Sequence, residues 1–204
     1  MNAKILQAIR YAVDSWHVDI ISMSFAFEEI HPALEDAIRY AVYRETIIFA
    51  AASGSPGSKK IAYPARAESV ICINSADLYG NPSKFNPRPA HNRDNFSILG
   101  ESVKGTWLHG EAKSLSGTSV ATTMAAGVAA LILQFARQNI ATDSFARIRR
   151  PAAMRAVLRF MSPLRGGFRY ISPGRLWDRP PEAAARILEN VLERSEMGFD
   201  SDVD

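Results

Sequence analysis

A serine at the start of an apolar segment is the residue of this sequence best suited to covalent chemistry. Ser119 directly follows Gly117 and Thr118 and begins the run SVATTMAAGVAALILQ, which predicts a helix enclosed by protein on all sides. At a helix N-terminus, free backbone N–H groups and the helix dipole stabilise an anion. A serine held rigidly there can act as a nucleophile, although serine is equally a common N-cap that needs no catalytic role.

The residues around Ser119 form a longer pattern than a helix cap requires. The pattern G-T-S-x-A, followed by A-A-G, resembles the nucleophile motif of subtilisin-like serine peptidases, G-T-S-x-A-x-P-x-x-A-G. The resemblance implies that Ser119 attacks the peptide carbonyl and that its backbone N–H supplies half of the oxyanion hole. Thr123 stands where the family has proline. A first-turn proline only preorganises the helix, so its loss weakens the match and leaves the chemistry possible.

The elements that must position this serine can be read from hydrophobic spacing. Three short, β-branched and nearly all apolar runs, at residues 18–25, 46–52 and 70–76, predict parallel strands covered on both faces. The hexapeptide AIRYAV occurs at 8–13 and again at 37–42, each time on a helical pattern before a strand. This alternation predicts an α/β fold, with a parallel sheet, helices on both faces and right-handed crossovers, followed by C-terminal helices.

The order of these elements also resembles the subtilisin-like family over about residues 3–140. It implies a peptide cleft between two strand ends, where an extended substrate pairs as an added strand. The residues placed at this cleft are Ser24, Phe25, Ala26, Ala52, Ser53 and Gly54. The domain organisation expected is a C-terminal portion of the peptidase domain at 1–140, a helical extension packed on it at 141–196, and an acidic disordered tail at 197–204.

The rest of the family's catalytic triad has no match in the sequence. Subtilisin-like peptidases use Asp, His and Ser, and the Asp and His motifs belong upstream of the helix with which these residues begin. The four histidines match no such motif and are expected at the surface: His17, His31, His91 and His109. We therefore expect negligible peptide hydrolysis by these 204 residues alone, because a serine without its base is a poor nucleophile.

The oxyanion site also departs from the family pattern. Gly54 occupies the position of the family's asparagine, whose side-chain amide would donate to the developing negative charge. A hydroxyl of Ser53 or Ser55 is an alternative donor with shorter reach. These departures leave open a pseudoprotease that binds peptides without cleaving them.

A subtilisin-like sheet continues beyond the first strand of this sequence. Without that part, an apolar strand edge and one side of the serine helix are uncovered, and such surfaces favour association or aggregation. Three explanations follow: a longer natural product, a partner that covers the surface, or a decaying remnant. The first is favoured, because the Gly-Thr-Ser motif and its small-residue helix are retained. The partner expected in every functional case is a peptide or protein substrate.

A basic stretch near the C-terminus suggests a different function, the binding of nucleic acid. Aromatic residues interleave with its cations, a combination that suits phosphate contact and base stacking. No nucleic-acid reader motif accompanies the charge, so a solvated helix face is the favoured interpretation. The arginines concerned are Arg147, Arg149, Arg150, Arg155, Arg159, Arg165, Arg169, Arg175 and Arg179.

Composition and residue spacing bear on the cellular location and on the kinds of binding site that the protein can have. The net charge is only +3, and the single cysteine, Cys72, lies in a strand pattern as a core thiol. No apolar run of about 18 residues predicts a membrane span, and the amphipathic N-terminus is unlike a signal peptide, so an intracellular location is expected. No cofactor is implied. Four scattered histidines and one cysteine give no metal-ligand spacing, and residues 54–59 do not fit a phosphate loop.

Overall fold

The computed structural model describes residues 3–54, 59–91 and 93–197. Its strands are β1 (Ile20–Met23), β2 (Ile47–Ala51), β3 (Ile71–Ala76), β4 (Phe96–Leu99), β5 (Val103–Thr106), β6 (Ala112–Leu115), β7 (Leu164–Arg165) and β8 (Phe168–Tyr170). Its helices are α1 (Ala3–Asp14), α2 (Pro32–Tyr43), α3 (Thr118–Asn139), α4 (Thr142–Ile148), α5 (Pro151–Phe160), α6 (Gly174–Trp177) and α7 (Pro181–Glu196). The acidic tail expected at 197–204 lies, apart from Met197, outside the described residues.

Six of the strands form one mostly parallel sheet, in the order β1-β2-β3-β4-β8-β7. Strands β1 to β4 and β8 pair in parallel, and β7 pairs antiparallel with β8. Every residue of β2 and β3 is buried, as expected of parallel strands covered on both faces. The α/β fold with a parallel sheet is therefore confirmed.

Helices cover both faces of this sheet. Because successive side chains of a strand point to opposite faces, β2 contributes to two separate cores. Ile47 and Phe49 pack in one core with α3, α5 and α7, whereas Ile48 and Ala50 pack in the other with α1 and α2. The two AIRYAV segments lie within α1 and α2, and these helices pack side by side.

Helix α3 is the structural centre of the larger core. In length and composition it could cross a membrane, contrary to the expectation from sequence that no segment could do so. It packs against β1, β2, β3, β4, α4 and α7 instead, as a core helix does. Its contact face carries small side chains, among them Ala121, Ala125 and Ala129, which let the helix approach the sheet closely.

The C-terminal region contains helices, as expected from sequence, and a short strand at 168–170, where the sequence pattern predicts one at 168–171. Strand β8 pairs with β4, and the β7–β8 hairpin thereby extends the central sheet. Met154 and Leu158 of α5 and Leu188 of α7 belong to the same buried core as α3. The region is continuous with the rest of the fold rather than an appended module.

Ion pairs hold this region to the sheet, and they account for the basic stretch. Asp94, whose side chain is only 7% exposed, lies 2.7 Å from Arg159, 3.6 Å from Arg169 and 3.7 Å from Arg155. The other arginines at 147–179 also have partners in the chain: Arg147 pairs with Glu196, Arg149 with Asp19 and Arg150 with Glu45, Arg165 and Arg179 donate to backbone carbonyls, and Arg175 lies over the Phe160 ring. Arg147, Arg149, Arg155, Arg159 and Arg169 thus connect separate elements of the fold.

Candidate active site

A cleft of about 330 Å³ lies where the loop after β2 meets the start of α3. This is the carboxyl edge of the parallel sheet, where α/β folds commonly bind ligands. The cleft is lined by Ser53, Gly54, Phe85, Ser116, Gly117, Thr118 and Ser119. The structure thus brings together the serine motif and the loop that the sequence places at the oxyanion site.

Ser119 is the second residue of α3 and is exposed to this cleft. Its position is fixed by close packing at the helix start. The N–H of Gly117 donates to the carbonyl of Gly100 at 2.8 Å. A Cβ on Gly100 would lie 2.8 Å from Ala121 Cβ and 2.9 Å from the Gly117 oxygen, so the absence of a side chain there allows this approach.

Thr118 ties the nucleophile segment to the loop after β2. Its Oγ1 donates to the carbonyl of Ser53 at 2.9 Å, and both residues are buried. The carbonyl of Thr118 in turn accepts from Thr122 Oγ1 at 2.7 Å. The link between residues 65 positions apart holds Ser119 and Gly54 in a fixed relation. Thr118 is not among the site residues predicted from sequence, although its place in the Gly-Thr-Ser motif was a usable signal.

The residues after β1 contact the start of α3, although Ser24, Phe25 and Ala26 are not among the residues that line the cleft. Ser24 Oγ donates to the Ser119 carbonyl at 3.4 Å, so the predicted cleft strand contacts the nucleophile segment directly. Phe25 and Ala26 are partly buried, and the Phe25 ring lies 5.7 Å from that of Phe27. Phe27 forms an isolated antiparallel bridge with Tyr63, which holds this segment near the loop after β2.

Phe85 is a cleft residue that the sequence did not indicate. It is partly buried in the loop between β3 and β4. No periodicity or motif in the sequence marks it. Its ring adds an apolar surface next to Ser119, which an extended peptide could contact.

The oxyanion position carries no side-chain donor at residue 54. Gly54 lies at the cleft as the resemblance placed it. Of the two alternative hydroxyl donors, Ser53 is 7% exposed and Ser55 lies outside the described residues.

A catalytic base is not among the described residues that line the cleft. His17, His91 and His109 are exposed, as expected from sequence. His31 is half-buried at the start of α2, with its ring 5.0 Å from that of Phe27. Within the described ranges, no group of three His, Cys, Asp or Glu residues could hold a metal ion.

Comparisons with known proteins identify the family of this chain. The sequence model of the subtilase family matches residues 1–162. The chain is 32% identical over 143 residues to an intracellular serine protease of Paenibacillus polymyxa, an alignment that covers 68% of this chain and 43% of that protein. It is 36% identical over 134 residues to subtilisin DY of Bacillus licheniformis, with coverage of 63% and 47%.

Solved structures give the same fold. The patellamide maturation protease PatA superposes with a TM-score of 0.72 at 22% identity, over 91% of this chain and 68% of that one. The prenylagaramide maturation protease PagA superposes with a TM-score of 0.69 at 22% identity, over 94% and 66%. The chain spans less than half the length of the curated relatives it matches. Because the family match extends over most of its residues, the chain belongs to the subtilase family.

Proposed function

We propose that this chain carries the nucleophile half of a serine endopeptidase site. The observation that carries the proposal is the position of Ser119, at the N-terminus of α3 and in a cleft that it shares with the loop after β2 and with Phe85. An extended peptide would lie between residues 24–26 and residues 52–54 and pair with their backbone. Its scissile carbonyl would then approach the Ser119 hydroxyl.

The chemistry assigned to Ser119 is acyl transfer. Its Oγ bonds to the carbonyl carbon, the carbonyl electron pair moves onto oxygen, and the hydroxyl proton passes to a base. The Ser119 N–H donates to the resulting oxyanion. The C–N bond then breaks, the amine leaves with the proton from the base, and water releases the acyl group by the reverse sequence.

Hydrolysis also requires a base and a carboxylate that orients it, and we propose that a further segment supplies both. Two surfaces support this proposal. Among the described strands, β1 has a sheet neighbour on one side only. Beside it, α3 exposes Met124 and Leu131, the latter 60% accessible. We propose that the segment with the triad Asp and His packs there, and that hydrolysis is negligible without it.

A fusion protein tests this function. The part of a subtilase relative that carries the Asp and His motifs is joined ahead of Ala3, and hydrolysis of a fluorogenic peptide is measured. We expect turnover by the fusion, background from the unfused chain, and a loss of about 10⁶-fold in Ser119→Ala, the size known for this change in a subtilisin. Ser195→Ala, on α7 outside the cleft, is the matched control. Robust turnover that survives Ser119→Ala would contradict the proposal.

A second candidate function is peptide binding without cleavage. It is favoured by Gly54, which lacks the family's amide donor. This function predicts that the fusion binds an extended peptide with equal affinity before and after Ser119→Ala, and that neither protein cleaves it. Titration of a fluorescent peptide, followed by mass spectrometry of that peptide, separates the two candidates. An intracellular location, favoured by the sequence, stays a prediction.

A further inference from the structure

Ala26 and Gly54 meet where the segments after β1 and β2 come together. A Cβ built on Gly54 would lie 2.6 Å from Ala26 Cβ, 3.7 Å from Ala26 Cα and 3.9 Å from Ala26 N. These are its three nearest neighbouring atoms. Two carbon atoms cannot approach to 2.6 Å without displacement, because favourable contact begins near 3.5 Å. The methyl group of Ala26 therefore occupies the space that any side chain at residue 54 would need first.

Backbone conformation does not explain the glycine. Gly80, Gly110, Gly166 and Gly167 have φ values in the left-handed region, whereas Gly54 does not. The φ angle of residue 54 is therefore not a reason for glycine there. Space, rather than dihedral freedom, is what requires glycine at this position.

We propose that Ala26 determines which residue position 54 can hold, and that the pair Ala26–Gly54 thereby withholds the side-chain oxyanion donor. Whether the site has a side-chain oxyanion donor thus depends on residue 26 as well as on residue 54. An asparagine there needs the methyl group of Ala26 removed, so both residues must change together. Ala26 acts through residue 54 and is a positioning residue. The steric part is independent of the proposed function, whereas the effect on turnover rests on it.

The test is a double-mutant cycle made in the fusion described above. Gly54→Asn alone is expected to lower the unfolding temperature and to give no gain in turnover. Ala26→Gly with Gly54→Asn is expected to recover most of that stability and to raise kcat by about 10²–10³-fold, the range reported for such a donor in a subtilisin. Gly54→Ala is the matched control. It introduces the same clash without an amide, so Ala26→Gly should restore its stability without the gain of about 10²–10³-fold in kcat.

The possible outcomes separate the steric inference, the donor assignment and the proposed function. If Gly54→Asn and Gly54→Ala, each with Ala26 retained, are as stable as the parent fusion, the steric inference is wrong. A stable double variant that shows no gain over an active parent would overturn the donor assignment. A fusion without hydrolysis in any variant, but with the expected stability pattern, would support the steric pair and count against the proposed function instead.

Discussion

The hydrogen bond from Thr118 to the Ser53 carbonyl makes a prediction about how the nucleophile is held. Thr118→Val keeps the shape of the side chain and removes the hydroxyl donor. Both residues are less than 10% exposed, and the bond is 2.9 Å long, so water cannot replace the lost donor easily. Leaving a buried acceptor without its partner costs about 1–3 kcal/mol. In a domain of this size, 2 kcal/mol corresponds to a fall in unfolding temperature of about 4–8 °C.

The assay is thermal unfolding of Thr118→Val beside Thr123→Val. Thr123 lies on the exposed side of the same helix, and its hydroxyl donates only to the Val120 carbonyl within the helix. The control therefore makes the same chemical change without breaking a link between elements. In the active fusion, Thr118→Val should also lower kcat, because a small displacement of a reacting group is costly. An unfolding temperature for Thr118→Val equal to that of Thr123→Val would refute the assigned role.

Two further predictions concern stability. Asp94→Ala leaves Arg155, Arg159 and Arg169 without their buried carboxylate and should cost about 3 kcal/mol, the lower end of the range for broken buried pairs, since the arginines are partly exposed. Glu45→Ala is the control, because it breaks an exposed ion pair and should lower the free energy of unfolding by no more than about 1 kcal/mol. Denaturant unfolding measures both variants, and equal losses would disprove the anchoring role of Asp94. Burial raises the pKa of Cys72 from 9.0 to about 12, so the folded thiol stays protonated where the unfolded one ionises, and stability should fall as pH rises from about 9 to 12. The thiol should also resist alkylation until the chain unfolds, measured with iodoacetamide at pH 8.5, and rapid labelling of the folded chain would contradict its burial.

The sequence predicted the central sheet well because its strands are apolar on both faces. Residues 46–52 and 70–76 correspond to β2 (Ile47–Ala51) and β3 (Ile71–Ala76), each completely buried. Strand β8 is different. It has three residues, and its place depends on the Arg169 N–H that donates to the Asn95 carbonyl, a contact between distant positions that no local pattern encodes.

Some features of the site are also encoded locally in the sequence, and others depend on distant contacts. The position of Ser119 follows from a contiguous motif with a local physical meaning, the start of a buried helix. The roles of Thr118 and Phe85 depend on the loops they meet, and those contacts join residues far apart in sequence. The contact between Ala26 and Gly54 spans two strand ends and depends on tenths of an ångström. Such a distance is a property of the packed sheet rather than of either segment.

The chain departs from the family pattern in two ways, the missing side-chain oxyanion donor and the missing catalytic base, and the two losses are expected to lower turnover by different amounts. A missing side-chain oxyanion donor costs about 10²–10³ in turnover, whereas loss of the nucleophile or its base costs about 10⁶, both figures coming from subtilisins. If a base reaches Ser119, the Ala26–Gly54 pair should therefore slow acyl transfer without abolishing it. Restoring the base alone should produce measurable hydrolysis with Gly54 in place. Restoring the donor alone, in the chain that begins at Met1, should produce none.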